Sequence, residues 1–347
     1  MKNDVFTKIE NLIKCQLDIK NVKLVGSGTE AFIDIINQLD LQSNDEIIIP
    51  SFLCEIIMIP IVKNKLKYKL VDIKKNSVVP SLEEYKKSYN NNTKVILISY
   101  IWGYVPLDLI EIIEWARDKN LIIIEDIASS YGISFKDKKL GTLGDYCFGS
   151  FGNGKVIDVG KYGFVASNNK IVDFNKMIGV SIINYNKIIK KIRNIKNKKT
   201  RKLFLINLFV LNPLFLKINY DDKSLVNLYN NLLNIENIIK NRSKITSRII
   251  NELKVLNKVS IIVPNNDNSF ASRLPVLCYD ISLYNKLKNN CCWVGSDYRF
   301  PISQLFDNEL LENEKHISKN IFNILTNLNN NTLDLTIHII KEYEYEK

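Results

Sequence analysis

The sequence predicts an α/β protein: a large, mostly parallel sheet covered by helices, followed by a smaller C-terminal α+β domain. Three observations carry this. From residue 22 to about 170, short apolar runs alternate with amphipathic stretches, the order that builds strand–helix–strand units. The apolar runs are hydrophobic at consecutive positions, as strands covered on both faces are. Past residue 170 the pattern changes to a basic stretch, a long helical stretch and a shorter succession of strands and helices.

The elements come in this order. VKLV (22–25) is a β-type run that meets Gly26-Ser27-Gly28-Thr29 and then AFIDIINQLDL, whose apolar spacing is helical. EIIIP (46–50) reads as a buried strand ended by proline, and CEIIMIPIVKN as a helix despite Pro60. YKLVDI (68–73), KVILISY (94–100) and LIIIED (121–126) are strands, with the amphipathic helix LDLIEIIEWARDKN (107–120) between the last two. Residues 177–202 are basic, with nine Lys or Arg between 187 and 202. The stretch 225–254 reads as one long amphipathic helix, and SIIVP (260–264), RLPVLCY (273–279), CCWVG (291–295) and a helical pattern near 333–345 come after it. We place the domain boundary near 230, giving a large domain 1–230, with the basic helical segment 177–225, and a small domain 231–347.

Composition removes several classes. With 347 residues, 46% of them hydrophobic, the chain can bury a sizeable core and is not a disordered tail. His316 and His338 are the only histidines, which argues against a Ser-His-Asp triad or a His-rich metal site. Cys15, Cys54, Cys147, Cys278, Cys291 and Cys292 form no CxxC pair, so no metal is expected. The net charge of +11 attracts anions without choosing among nucleic acid, membrane and a phosphorylated substrate. The basic stretch 187–202 has Ile188, Ile189, Ile192 and Ile195 on one helical face, which fits a solvated helix as well as a nucleic-acid patch. The longest apolar run, 203–218, is interrupted by Asn207, Asn212 and Pro213, short of a membrane span. The N-terminal MKNDVFTKIENLIKC lacks the apolar region of a signal peptide, and a cytoplasmic protein with reduced thiols is expected.

Four features lie where an α/β sheet places its ligands, at strand C-termini. Gly26-Ser27-Gly28-Thr29 is a small-residue turn into a helix, which suits a phosphate or equally a helix cap. Glu125-Asp126 closes a strand and can hold a cationic nitrogen or a metal, or cap the segment IASSYG after it. Ser150-Phe151-Gly152-Asn153-Gly154-Lys155 can cradle phosphate, present an amine for a Schiff base, or be an exposed turn. Gly160 and Gly163 lead into the run FVAS, as glycines of a hairpin also do.

In this order and at these intervals, SGTEA (27–31), DEIIIPSF (45–52), EDIASSYG (125–132), GTLGD (141–145) and SFGNGK (150–155) resemble the DegT/DnrJ/EryC1/StrS sugar aminotransferases. That resemblance implies a fold-type I enzyme that uses pyridoxal 5'-phosphate. It makes Lys155 the lysine that holds the cofactor as a Schiff base, and Asp126 the partner of its pyridine nitrogen. Ser27, Gly28, Thr29 and Ser150 match the phosphate-binding residues; Ser129 stands where many relatives place Gln or His near the cofactor's 3-oxygen. Cys54 stands where many relatives place an aromatic ring over the cofactor, so that stacking falls to another ring such as Trp102. Many relatives carry an Asn-Tyr-Arg segment within the range 177–225; here Asn184-Tyr185 is the nearest match, and 297–301 resembles a late aromatic–proline loop.

The implied reaction moves an amino group, from glutamate, onto a nucleotide-linked keto-sugar for surface polysaccharide or another glycoconjugate. Two alternatives stay open: a sugar dehydratase using the same cofactor, and a non-catalytic regulatory or binding protein on the same fold. Dehydrating relatives replace the Schiff-base lysine with histidine, and the position here is Lys155. No nucleic-acid partner and no membrane span are expected. Relatives build each site at a subunit boundary, and the apolar segment 203–218 is hard to hide in a monomer of this size. Sedimentation should therefore find a homodimer; a monomer that still binds the cofactor would overturn this.

Overall fold

The computed structural model describes residues 2–169, 171, 221–290, 292, 294–295, 302–303 and 311–346. The basic stretch 187–202, the apolar run 203–218, Asn184-Tyr185 and the loop 297–301 lie outside the described residues.

The chain opens with helix α1 (Lys2–Leu17), strand β1 (Asn21–Val25) and helix α2 (Gly28–Gln38). Next come strand β2 (Glu46–Pro50), helix α3 (Met58–Lys63), strand β3 (Lys67–Val71), helix α4 (Leu82–Ser88), strand β4 (Thr93–Ser99), helix α5 (Leu109–Asp118) and strand β5 (Ile122–Asp126). A small hairpin of β6 (Ser134–Phe135) and β7 (Lys138–Lys139) precedes β8 (Tyr146–Ser150) and β9 (Gly163–Ser167). Seven of these strands form one sheet in the order β1-β9-β8-β5-β4-β2-β3. Neighbours from β8 to β3 pair in parallel, and β9 runs antiparallel to both β8 and β1.

The consecutive apolar residues of these strands are used as a doubly covered sheet uses them. Ile47, Ile49, Val95, Leu97 and Ile124 face a core that holds Ala31, Phe32 and Ile35 of α2. Ile48, Ile96, Ile98 and Ile123 face the opposite core, with Ile9 and Ile13 of α1 and Leu109, Ile112 and Ala116 of α5. The N-terminal helix was not among the expected elements, although Ile9, Ile13 and Leu17 recur at helical spacing and are all buried. Strand β8 was also missed, because YCFGS contains a glycine and few branched residues. A Cβ on Gly149 would lie 2.1 Å from the Phe164 ring, so the glycine makes room for β9's aromatic side chain.

The single helix expected over 225–254 is two: α6 (Asp222–Leu233) and α7 (Ile235–Leu253). Asn234 between them has φ −103° and ψ 15°, outside helical geometry. The break lets Leu228, Leu232, Ile235 and Ile239 stay in one core, while Ile249 and Leu253 join the other. Beyond α7 come β10 (Val259–Ile261), β11 (Arg273–Cys278), helix α8 (Ile281–Asn289), β12 (Val294–Gly295), helix α9 (Glu312–Ser318), β13 (Ile321–Leu325) and helix α10 (Asn330–Tyr345). Their strands form a second sheet, β10-β11-β13-β12, antiparallel throughout.

The second sheet's layer meets the first through α9. Asp72, just past β3, accepts from the Asn313 and Glu314 backbone N–H groups at 2.8 and 3.0 Å. Glu314 itself is fully buried, with Ser303 donating to its carboxylate. Burial pushes the Glu314 carboxyl up to about 7 from an ordinary 4.5, outweighing the Ser303 hydroxyl. The folded chain therefore keeps this proton to a higher pH than the unfolded chain does. Its contribution to stability is complete below pH 4.5 and is lost as pH rises towards 7. Urea unfolding of Glu314→Gln should show this decline flattened, with the variant about 2 kcal/mol more stable than the parent at pH 8. Equal pH slopes for the two proteins would show that Glu314 ionises freely in the fold.

Candidate active site

The first side of the site is the N-terminus of α2. Ser27 is its cap, and the Ser27 hydroxyl accepts from the Glu30 N–H at 3.1 Å. The Glu30 carboxylate turns back and accepts from the N–H of Gly26, the residue before the cap, at 2.9 Å, one residue earlier than in a capping box. Ser27 thus serves the helix, while Gly28 and Thr29 supply the first-turn N–H groups that attract an anion. Gly28 packs against the end of β8: a Cβ there would lie 2.9 Å from the Ser150 Cβ. Gly163 closes the corner, since a Cβ on it would lie 2.5 Å from the Gly28 nitrogen. The cap reading of this turn is thus what the structure shows, and Ser27 to Glu30 lie where the ends of β1, β8 and β9 meet.

The second side is the C-terminal end of β5, where strand alternation sends two neighbouring carboxylates to opposite faces. Glu125 is fully buried. It accepts from the Tyr100 hydroxyl at 2.6 Å and from the Gly141, Leu143 and Gly144 N–H groups at 3.0, 2.7 and 2.8 Å. Burial still pushes its carboxyl up, against these four donors. Asp126 accepts from the Ser99 hydroxyl and the Ala128 N–H, each at 2.9 Å. Burial raises the Asp126 carboxyl, and the charge of Lys155 partly offsets this. The cation whose charge acts on Asp126 is the Lys155 amine.

The third side is the connection between β8 and β9, which carries Lys155. Its ammonium nitrogen donates to the Ser129 hydroxyl at 3.2 Å. Loss of solvent lowers the Lys155 amine below its ordinary value. Asp126 and Cys54 oppose that shift and Arg273 adds to it. The structure thus brings Lys155, Asp126, Ser129 and Cys54 together, with Ser150 and Gly28 adjoining through β8. Trp102 is 3% exposed and meets Phe52 edge-on at 5.7 Å, so its ring is committed to the core.

Two arginines at the lysine were missed from sequence. Arg273 begins β11; its guanidinium donates to Asn323 at 3.0 Å and crowds Gly154 from the second sheet. Arg242, midway along α7, donates to the backbone carbonyls of Lys155 and Val156. Neither had a local signal, because each meets the lysine from a distant part of the chain.

The chain is 31% identical over 174 residues to the GDP-perosamine synthase of Escherichia coli O157:H7, covering 49% of this chain and 46% of that protein. It thus spans less than half the length of the curated relatives it matches. Among solved structures it superposes on DesV of S. venezuelae with a TM-score of 0.78 at 16% identity, covering 99% of this chain and 90% of that one. It also superposes on the E. coli GDP-4-keto-6-deoxy-D-mannose-3-dehydratase with bound hydrated PLP, with a TM-score of 0.73 at 17% identity, covering 96% and 91%. At these identities the structures establish the shared fold. The model of one family matches residues 5–305, and the chain belongs to it: the DegT/DnrJ/EryC1/StrS aminotransferase family.

Proposed function

We propose that the protein is a pyridoxal-phosphate-dependent aminotransferase that moves an amino group from glutamate onto a nucleotide-linked keto-sugar. The observation that carries this is a desolvated lysine amine at Lys155, charge-coupled to Asp126 and adjoining an anion-binding helix N-terminus. That set fits the cofactor's three polar parts: an aldehyde for the amine, a ring nitrogen for the carboxylate and a phosphate for the helix. Relatives named as GDP-perosamine synthases support the sugar substrate.

When bound, pyridoxal phosphate supplies an electron sink for a carbanion at the donor's α-carbon. The rest falls to the chain's own groups. The Gly28 and Thr29 N–H groups and the Ser150 hydroxyl would hold the phosphate. Asp126, kept in place by Ser99 and Ala128, would keep a proton on the ring nitrogen. Ser129 would reach the 3-oxygen. Lys155, released as a neutral amine, would take the proton from the donor's α-carbon and pass it on. A lowered amine pKa suits this, because an ammonium group has no free pair with which to accept a proton. The homodimer and the route into polysaccharide belong to the same reading.

Two measurements test it. Glutamate added to the cofactor-loaded protein should release 2-oxoglutarate in a stoichiometric burst. A matching nucleotide-linked keto-sugar should then yield an amino-sugar of the expected mass. A deoxy-sugar without nitrogen as main product would mean dehydration instead. Asp126→Asn should stay folded, since an amide can still accept from Ala128, yet lose on the order of 100-fold or more in turnover. Near-normal turnover would reduce Asp126 to a turn residue.

A further inference from the structure

Lys155 sits on a stretch that secondary structure does little to hold. Residues 151–161 form neither strand nor helix, and Gly154 and Gly160 have φ of +75° and +78°. The stretch is tied at its start, where the Phe151 N–H donates to Tyr162 at 2.9 Å and the Gly152 N–H to the Ser150 hydroxyl at 3.3 Å. Around the lysine, the Lys155 N–H donates to Gly152 at 3.3 Å, the Gly154 N–H to the Asp158 carboxylate at 2.7 Å, and the Val159 N–H to Phe151 at 3.0 Å. The carbonyls of Lys155 and Val156 point the other way, towards α7. There both accept from one nitrogen, Nη2 of Arg242, at 2.9 and 3.1 Å.

Arg242 is an expensive residue to keep at that place. It is 6% exposed, and burial lowers its guanidinium to about 10. Its other terminal nitrogen, Nη1, is buried without a hydrogen-bond partner. Asp158 attracts the guanidinium and Arg273 repels it, and burial outweighs the attraction. Replacing a buried charge by apolar side chains of similar volume is commonly neutral or stabilising, so the arginine calls for a reason besides stability. Its bonds end on the peptide unit that sets the direction of the Lys155 side chain.

The same turn of α7 is tied to the second sheet. The Thr246 hydroxyl donates to the Arg242 carbonyl at 2.9 Å and accepts from the Ala271 N–H at 3.4 Å, two residues before Arg273. At its start, α7 closes on the first sheet's layer: a Cβ on Gly132 would lie 2.8 Å from Ile239. One rigid helix thus joins both layers and touches the lysine's backbone between them.

We propose that Arg242 is a positioning residue for Lys155: its bridge across the carbonyls of 155 and 156 holds the amine of this half-buried side chain against Ser129 and Asp126. This rests on Lys155 being the reactive lysine. Without the bridge the turn relaxes, the amine gains solvent, and its proton affinity rises. A merely structural arginine would change stability but leave the titration of Lys155 where it was.

The test is the pH dependence of reductive methylation of the cofactor-free full chain with formaldehyde, quantified at Lys155 by peptide mass. Exposed lysines outside any of the ion pairs described, such as Lys75 and Lys94, serve as internal references. The parent should show a Lys155 midpoint below those of the references. Arg242→Gln should move that midpoint upward by about one pH unit, roughly a tenfold slower reaction at a fixed lower pH. Arg242→Lys keeps a cation with a shorter reach and should recover part of the shift. Should Arg242→Gln fail to fold, Arg242→Lys is read directly against the parent. Variants whose Lys155 midpoint coincides with the parent's overturn the positioning role and leave the assignment of Lys155 standing. A parent whose Lys155 titrates with the reference lysines overturns both.

Discussion

The end of β5 is the constraint on which the rest of the site depends, because one strand delivers two neighbouring carboxylates to opposite faces of the sheet, Glu125 fully buried and Asp126 half-buried. Glu125 has no access to water, so it must find donors. Glu125 finds four, three of them backbone N–H groups of residues 141–144. That attachment pins the loop that feeds β8, and β8 ends at Ser150, five residues before Lys155. Asp126 meets its own pair of donors across the sheet, at the place where the lysine arrives. Loss of Glu125 would strand several N–H groups at once, at about 1–3 kcal/mol for each buried polar group left unpaired.

Electrostatics and packing then act together on the lysine. Loss of solvent favours the neutral amine, Asp126 favours the charged one, and Arg273 opposes it again. The lowered amine shows which effect prevails: desolvation exceeds the attraction of one carboxylate that is itself held up by burial. The anion side is arranged differently. There the first turn of α2 carries the partial positive charge of a helix N-terminus, and Gly28, Ser150 and Gly163 pack so closely that neither glycine could carry a Cβ without a shift.

Much of this was legible in the amino-acid order. Strands β1 to β5 and helix α5 announced themselves because isoleucine and valine runs have few other uses. Asp126 and Lys155 stood out through spacing within a run of motifs. The elements that escaped take their stability from neighbours. YCFGS is a poor strand by composition and becomes one because β5 and β9 flank it. IFNIL has a buried Asn323 that breaks its pattern, and that asparagine is paired with Arg273. The division of 225–254 into two helices reflects which core each half enters, which periodicity does not record.

By itself the sequence determined the α/β alternation, the small-residue turn before α2, the acidic strand end and the lysine, together with the family they identify. Each is a local property: apolar period, chain flexibility, or the chemistry of one side chain. Only the tertiary structure decided what the two adjacent carboxylates meet, Glu125 the N–H groups of a loop and Asp126 the Ser99 hydroxyl, since strand alternation sends them to opposite faces. It likewise decided that Glu125 secures a loop, that the Ser27 hydroxyl caps α2, and that two arginines from far along the chain meet the lysine's turn. Those outcomes are set by desolvation and by which donors come within reach, quantities that do not exist until the chain has closed on itself.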